Sequence, residues 1–254
     1  LKISVFLFAF VTFLGVIAWQ IEKILPALVP DSYAESFGRA IADEYIEEYG
    51  GVCSASSGKR ALTAMVTRLQ PRAAKDRLIV RVADSDLVNA FAVPGQQIVI
   101  FRGLIEKAES ADEVAGVLAH EMGHVNHKHA LRGLTRAIGI GVIASIFSGS
   151  DASQIVQQLV MLGFSRSMEE EADVEALNTL FEAGVDHYAL ADFFNRLASE
   201  QKDSEPAFMS FLSTHPSSEE RAILIQAASP ARETRPVISE VEWQALKNIC
   251  GPRS

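Results

Sequence analysis

The chain of 254 residues is 48% apolar and has a net charge of −9 at neutral pH. This composition allows a buried core, and we expect one domain plus an N-terminal segment. The acidic balance argues against a nucleic-acid-binding protein, which needs clustered Lys and Arg.

The N-terminal segment is uncharged and mostly apolar over residues 3–19. Its length is at the short end of what spans a bilayer as a helix. A cleaved signal peptide is the alternative, but small residues spaced for cleavage are missing where the run ends, at residues 18–20. We therefore expect residues 1–25 to be a membrane anchor or signal-anchor. The domain over residues 26–254 would then lie in the periplasm or another exported compartment.

Cys53 and Cys250 are the two cysteines of the chain. An exported domain permits them to pair, and closing a loop of about 200 residues stabilises a fold by up to about 5 kcal/mol in the chain-entropy model. We predict a disulfide between them. Two buried free thiols are the alternative.

Residues 77–101 have the pattern of β-strands. Within residues 77–83, every second residue is apolar at Leu78, Val80 and Val82, and residues 98–101 are rich in β-forming side chains. Between them, Pro94-Gly95 suits a type II turn. The pattern predicts a hairpin directly before the next helix.

That next helix carries the sequence H-E-M-G-H at residues 120–124, after a capping box at residues 110–113. Residues four apart lie about 40° apart around a helix, so His120 and His124 can present both imidazoles to one ion. A zinc ion with three protein ligands keeps a position for water and lowers that water's pKa toward ~7. Glu121 is placed to act as the general base. Two solvated histidines on a helix face are the alternative.

A third zinc ligand has two common sources. A metzincin would supply a third histidine, but its place is taken by Ala130. The other source is a carboxylate from a second helix, where Glu169 and Asp173 share one face. Glu169 would then coordinate the ion, while Asp173 would accept the outer N–H of a ligand histidine, preferably His120. From position alone, Glu169 can equally belong to a solvated acidic face.

Four neighbouring residues receive no ligand role. Glu170 and Glu171 are rotated about 100° and 200° from the candidate ligand on their helix, so we interpret them as a solvated acidic face. His127 is assigned to the second shell or the surface. His129 would point to the opposite side from His120, and we expect it to have a packing role.

Three segments together resemble the HtpX and OMA type of membrane-linked zinc metallopeptidases, relatives of the CAAX prenyl endopeptidase. The resemblance covers about residues 30 to 227 and rests on several motifs in combination. The matching segments are N-A-F-A-V-P-G at 89–95 with F-R-G-L at 101–104, the helix at 120–129, and S-R with E-E-E-A-D within 165–173.

The resemblance implies that His120, His124 and Glu169 hold one zinc ion per chain. It also implies an α+β, mainly helical fold, a zincin-like (gluzincin) domain with a small sheet beside the zinc helix. An edge strand there would bind an extended peptide through main-chain hydrogen bonds, although an internal structural strand is the alternative. The residues expected near that edge are Asn89, Ala90, Phe91 and Ala92.

His215 lies in the stretch T-H-P-S-S-E-E-R, which is similar to a segment that the family carries after its third ligand. A capping box at residues 217–220 would start a helix after it. His215 would then sit over the zinc, either to steady the oxyanion or to occupy the water site; a surface loop histidine is the alternative.

The apolar run at 137–147 is too short to span a bilayer, and it can cover the cleft, touch the membrane surface or pack in the core.

These features predict a zinc-dependent endopeptidase that hydrolyses misfolded or envelope and membrane-associated proteins, with Glu121 as general base. Its partners would be protein or peptide substrates and, through the N-terminal segment, a membrane. The alternative is a chaperone-like or binding factor whose metal site is structural or closed, with all four positions filled by protein. The sequence leaves the oligomeric state open.

Overall fold

Helices make up most of the chain that the computed structural model describes, which is residues 26, 28–70, 78–136, 163–200, 211, 213–215, 219–228 and 233–251. The helices are α1 Asp31–Glu48, α2 Ser56–Leu69, α3 Arg102–Lys107, α4 Ala111–Asn126, α5 Arg166–Ala183, α6 Tyr188–Glu200, α7 Glu219–Ala227 and α8 Glu240–Lys247. Residues 129–136 are also helical. The strands are β1 Ile79–Ala83, β2 Ala90–Val93 and β3 Gln97–Phe101. The predicted α+β, mainly helical class is confirmed.

The three strands form one sheet in the order β1-β3-β2. β2 and β3 are antiparallel and joined by a tight turn, so the predicted hairpin is present. Gly95 has φ +77°, as the third position of a type II turn requires, and Gln96 is also left-handed at φ +59°. β1 runs parallel to β3 on its other side. Among the described residues β1 and β2 are the outer strands, and β1 carries a single antiparallel bridge to Val52.

Successive side chains of the sheet point to opposite faces and enter two different apolar clusters. Phe91, Val99 and Phe101 pack with residues of α1. Ala92 and Ile98 belong to the larger cluster, which contains the apolar residues of α4 and α2. The sheet therefore lies between α1 and the helix that carries residues 120–124.

α4 is anchored at its N-terminus by a polar cap. The Ser110 hydroxyl accepts a hydrogen bond from the Glu113 N–H at 3.2 Å, which confirms half of the predicted capping box. The Glu113 carboxylate accepts instead from the Glu109 N–H at 2.8 Å and from Arg196 Nη1 on α6 at 2.9 Å. The start of α4 is thereby tied to α6.

α4 and α5 approach so closely that a side chain is excluded between them. A Cβ added to Gly123 on α4 would lie 2.8 Å from the Ala172 Cα on α5. The backbones therefore touch at the level of the histidines of α4. This contact brings the inward face of α5, with Glu169 and Asp173, against His120 and His124.

The predicted disulfide joins Cys53 and Cys250, whose Cα atoms are 4.3 Å apart, and we call the part of the domain around it the disulfide end. α2 packs against α8 beside it. A Cβ added to Gly58 would lie 2.6 Å from the Ile249 Cα, so here too two backbones are in contact. The C-terminal segment is thereby joined to the start of the domain.

Some predictions fall on residues that the structure does not describe. They are the anchor at 1–25, the apolar run at 137–147 and the capping residue Ser217. Among the helices that are described, none has both the length and the apolar character needed to cross a membrane.

Candidate metal centre

Four side chains from three separate parts of the chain meet in one buried cluster. They are His120 and His124 of α4, Glu169 of α5, and His215, each no more than 1% exposed. Each offers one nitrogen or oxygen atom, and these donor atoms lie within 4.8 Å of one another. His215 is held by a helical turn, in which its N–H donates to the Phe211 carbonyl at 2.9 Å.

The separations between the donor atoms suit a tetrahedral zinc ion. Ligand atoms about 2.0–2.1 Å from zinc lie about 3.3 Å apart at tetrahedral angles. His120 Nε2 is 3.0 Å from His124 Nε2. The Glu169 Oε2 is 3.5 Å from His120 Nε2, and the Glu169 Oε1 is 3.5 Å from His124 Nε2. Imidazole nitrogen and carboxylate oxygen are also donor types that zinc takes. The three predicted ligands therefore come together in an arrangement that fits one zinc ion.

His215 stands at the fourth corner of this cluster. Its Nδ1 is 3.4 Å from His120 Nε2 and 3.2 Å from the Glu169 Oε1. Because the side chain is buried, the alternative of a surface loop histidine is wrong. Its other nitrogen, Nε2, is 3.2 Å from the Glu121 Oε1, so His215 contacts both the ligand set and the predicted base.

Glu121 is fully buried beside the ligands. Its Oε1 is 3.2 Å from His215 Nε2, and the main chain of Ala92 is close enough to lower its pKa. Burial raises the pKa of Glu121 to about 7, although the nearby His215 acts in the opposite direction. The predicted base is therefore within reach of both the metal cluster and the sheet edge.

Asp173 lies on the Nδ1 side of His120, away from the nitrogen that faces the cluster, as predicted. Its Oδ1 is 2.9 Å from His120 Nδ1. Arg221 of α7 donates to both Asp173 oxygens, at 2.6 and 2.8 Å, and its Nη1 lies 2.7 Å from the Glu169 Oε2. Burial alone would raise the pKa of Asp173, but Arg221 and His120 hold that pKa below its usual value. One guanidinium thus orients two carboxylates that flank the ligand histidine.

Two predictions fail on the outer side of His124. His129 is buried, but its contact there is polar: its Nδ1 is 2.8 Å from His124 Nδ1. Glu171 accepts from His129 Nε2 at 3.0 Å and from Arg132 Nη1 at 2.6 Å, so it is not part of a solvated acidic face.

The wrong prediction for His129 is explained by where α4 ends. The helix stops at Asn126, and Lys128 adopts the left-handed conformation at φ +53°. The helix is therefore interrupted before His129, and the helical spacing used for that residue no longer applies. Glu170 and His127 are exposed, as a surface interpretation predicts.

Aromatic rings surround the histidines. Phe164 stacks on His124 with ring centroids 3.9 Å apart, and Phe211 stacks on His215 at 4.6 Å. Phe194 of α6 meets His120 edge-on at 5.9 Å. These rings restrict the imidazole orientations and exclude water, which strengthens the electrostatic interactions inside the cluster.

The predicted substrate strand lies at a sheet edge beside α4. The Phe101 N–H donates to the Asn89 carbonyl at 2.9 Å, so in the antiparallel ladder Asn89 and Phe91 bond to β3. The main-chain groups of Ala90 and Ala92 consequently point away from β3. The Ala90 N–H is satisfied by the Asn89 Oδ1 at 2.9 Å. Within the described part of the chain β2 is an edge strand, and its role in substrate binding stays a prediction.

Sequence reasoning assigned no role to Arg221, Arg132 or Phe164. One signal for Arg221 was available, because two carboxylates on one buried helix face, Glu169 and Asp173, require a cation nearby. Which cation supplies it depends on where α7 docks. No sequence signal identifies Phe164 or Arg132.

A comparison with protein families finds that the model described as peptidase family M48 matches residues 58–229. That range contains every residue of the cluster, the predicted substrate strand, and the outer partners of the histidines. The cluster built above from geometry therefore lies entirely within the matched region.

Among curated proteins, the chain is similar to metalloproteases. It is 34% identical to the mitochondrial metalloendopeptidase OMA1 of Arabidopsis thaliana over 167 residues, 64% of this chain and 34% of the relative. It is 32% identical to a putative beta-barrel assembly-enhancing protease of Vibrio cholerae over 207 residues, 71% of this chain and 38% of the relative. It is also 32% identical to the metalloprotease LoiP of Escherichia coli over 53% of this chain and 56% of the relative. The chain thus spans about a third to a half of these relatives.

Proposed function

Because the chain belongs to peptidase family M48, we propose that it is a zinc-dependent endopeptidase acting on misfolded or envelope and membrane-associated proteins. The observation that carries the proposal is the buried cluster of His120, His124 and Glu169, whose donor atoms lie 3.0–3.5 Å apart with Glu121 beside them. The names of the relatives, among them a beta-barrel assembly-enhancing protease, support the substrate class. We further propose an exported location and attachment to a membrane through residues 1–25.

In the proposed reaction each side chain has a separate task. His120, His124 and Glu169 hold zinc, which supplies Lewis-acid polarisation of the scissile carbonyl when bound. Glu121 removes a proton from the attacking water and transfers it to the amine nitrogen as the C–N bond breaks. Asp173 accepts a hydrogen bond from the Nδ1–H of His120, which keeps that proton on Nδ1 and leaves Nε2 free for the metal.

The sheet edge offers a way to place the peptide. An extended substrate paired with β2 would meet the outward main-chain groups of Ala90 and Ala92. The Ala92 main chain is close enough to Glu121 to lower its pKa, so a peptide on this edge would bring its carbonyl close to the base. Recognition through main-chain groups makes little demand on side chains, which suits unfolded proteins as substrates.

Glu121→Gln tests the function directly. The variant should retain one zinc per chain by elemental analysis, because Glu121 is not a ligand, and should lose cleavage of unfolded casein by at least about 100-fold. The exposed Glu170→Gln is the matched control and should cleave like the unaltered protein. Chelator should abolish cleavage, and added zinc should restore it. Casein cleavage that persists in Glu121→Gln would overturn the mechanism.

A second candidate function follows from His215. With its Nδ1 3.4 Å from His120 Nε2, the cluster has four protein donors, as structural zinc sites have. A chaperone-like or binding factor with a closed site is therefore the alternative. In the endopeptidase, the same arrangement is a resting form from which His215 withdraws when a substrate carbonyl enters.

His215→Ala separates the two functions. In the endopeptidase the three remaining ligands should keep zinc bound and casein cleavage should increase, because the fourth position becomes accessible. A fall in cleavage with zinc retained would assign His215 to oxyanion stabilisation. If neither the unaltered protein nor the variant cleaves casein while both hold zinc, the closed-site alternative is correct.

A further inference from the structure

The outer side of His124 carries a continuous chain of polar contacts that the proposed reaction does not use. His124 Nδ1 is 2.8 Å from His129 Nδ1. His129 Nε2 is 3.0 Å from the Glu171 Oε2, and the same oxygen lies 2.6 Å from Arg132 Nη1. This series of contacts starts at the fully buried ring of His124 and ends at the Glu171 carboxylate, whose side chain is 35% exposed.

The distances assign the protons along this chain. His124 Nε2 faces the other donor atoms of the cluster, so a neutral His124 that binds a metal carries its proton on Nδ1. Two ring nitrogens 2.8 Å apart need one proton between them, and His129 Nδ1 must therefore accept. The proton of a neutral His129 is then on Nε2, where the Glu171 carboxylate accepts it.

We propose that His129 is a positioning residue that fixes the tautomer and orientation of the metal ligand His124, with Glu171 and Arg132 holding His129 in turn. This inference rests on the proposed zinc centre and deepens it. Asp173, which Arg221 contacts, occupies the corresponding position 2.9 Å from His120 Nδ1, so each ligand histidine has its own outer neighbour and its own arginine.

The contact geometry distinguishes positioning from packing. A residue that only filled space beside His124 would present carbon atoms, but His129 presents Nδ1 to Nδ1. Its second nitrogen is also satisfied, by a carboxylate that the guanidinium of Arg132 orients. His127, two residues earlier, stacks on the His129 ring with centroids 5.4 Å apart but is exposed.

Zinc affinity of the full chain, measured by competition with a chromophoric chelator, tests the proposal. His129→Phe keeps a flat ring of similar size but removes the acceptor, and should weaken zinc binding by about 10- to 100-fold. His129→Asn places an Oδ1 acceptor near the lost Nδ1 and should restore most of the affinity. His127→Phe is the matched control and should bind zinc like the unaltered protein.

A spectroscopic readout does not depend on the variants. In zinc-loaded protein with 15N-labelled histidine, NMR should find His129 neutral with its proton on Nε2 and His124 with its proton on Nδ1. If His129→Phe fails to fold, Glu171→Gln takes its place, because it leaves His129 intact and removes the negative charge. That variant should lower zinc affinity by about 10-fold.

The outcomes separate this inference from the proposed function. If the unaltered protein holds no zinc, the zinc centre itself is wrong and the inference falls with it. The inference alone is overturned if zinc is bound but His129→Phe and Glu171→Gln keep full affinity, if His129→Asn is no better than His129→Phe, or if the His129 proton is on Nδ1. His127, His129 and Glu171 form a second group that could hold a metal ion. A loss of zinc affinity in His127→Phe as large as that in His129→Phe would indicate a metal at this group and would also overturn the inference.

Discussion

The metal cluster and the disulfide end both join segments that are far apart in the chain, but they do so by opposite physical means. At the metal cluster, charged and polar groups of α4, α5 and α7 are buried together, with Arg221 5% and Asp173 2% exposed. At the disulfide end, a covalent bond between Cys53 and Cys250 lies beside the apolar packing of α2 on α8.

This difference decides how each end responds to damage. A buried polar network is stable only when every member has its partner, because an orphaned charge pays the full desolvation cost. A disulfide acts mainly on the unfolded chain, and its removal leaves no charge without a partner. We therefore expect changes at the metal cluster to alter zinc binding and stability together, and changes at the disulfide end to alter stability alone.

Arg221→Met should have the largest effect. It leaves the buried carboxylates of Glu169 and Asp173 without their guanidinium, and breaking such a buried ion pair costs about 3–5 kcal/mol. The free energy of unfolding, measured by denaturant titration after chelator treatment, should fall by that amount. Zinc should recover part of the loss, because its charge partly replaces the guanidinium.

Two further variants sharpen the Arg221 measurement. Arg221→Lys should be intermediate, since an ammonium group cannot bridge both carboxylates with parallel hydrogen bonds. Arg60→Met on the exposed surface of α2 should change the free energy of unfolding by less than about 0.5 kcal/mol. Equal stability of Arg221→Met and Arg60→Met would contradict the role of the buried ion pairs.

Replacing Cys53 and Cys250 together by Ser should have the next largest effect. Loss of the cross-link should lower the free energy of unfolding by about 2–4 kcal/mol and leave the zinc affinity unchanged. Thiol titration of the unaltered protein, unfolded without reductant, should find no free thiol. A tenfold loss of zinc affinity in the double variant would show that the two ends are coupled.

Gly123→Ala and Gly58→Ala form a matched pair with the smallest expected effect on stability. Each adds one methyl group between two touching backbones, and overpacking of this kind costs about 1–3 kcal/mol. Gly123→Ala should also weaken zinc binding, because separating α4 from α5 moves the Glu169 carboxylate away from the histidines. Gly58→Ala should leave zinc binding intact.

Gly133→Ala is the control for this pair. Its added Cβ meets no atom of the described residues within 4 Å, so a helix-favouring substitution there should not destabilise the fold. Zinc affinity that falls equally in Gly123→Ala and Gly58→Ala would refute the separation of the two ends.

Much of the site was predictable from local patterns, and the wrong prediction for His129 had a local cause as well. Helical spacing places His120 with His124, and Glu169 with Asp173, on one face of each helix. That Glu169 meets the histidines was expected from the family resemblance, since its position alone fits a solvated acidic face equally well. His129 was interpreted on the same helical spacing, but α4 had already ended before it. The left-handed Lys128 interrupts the helix there, so the side chain of His129 is not where continued helical spacing would place it.

Local patterns were enough to predict the hairpin, the helix with residues 120–124 and the helix with Glu169 and Asp173. The presence of two cysteines in the whole chain was enough to predict the disulfide. Each depends on a repeat, a turn or a residue count that is complete within one segment or one residue type. The tertiary structure decided the remaining contacts of the site. They are the ion pairs of Arg221 with two carboxylates, the position of His215 beside the three predicted ligands, and the contact between His129 and Glu171. These depend on how close α4 and α5 approach and where α7 lies. Such distances arise from packing among many residues, so no single stretch of sequence contains them.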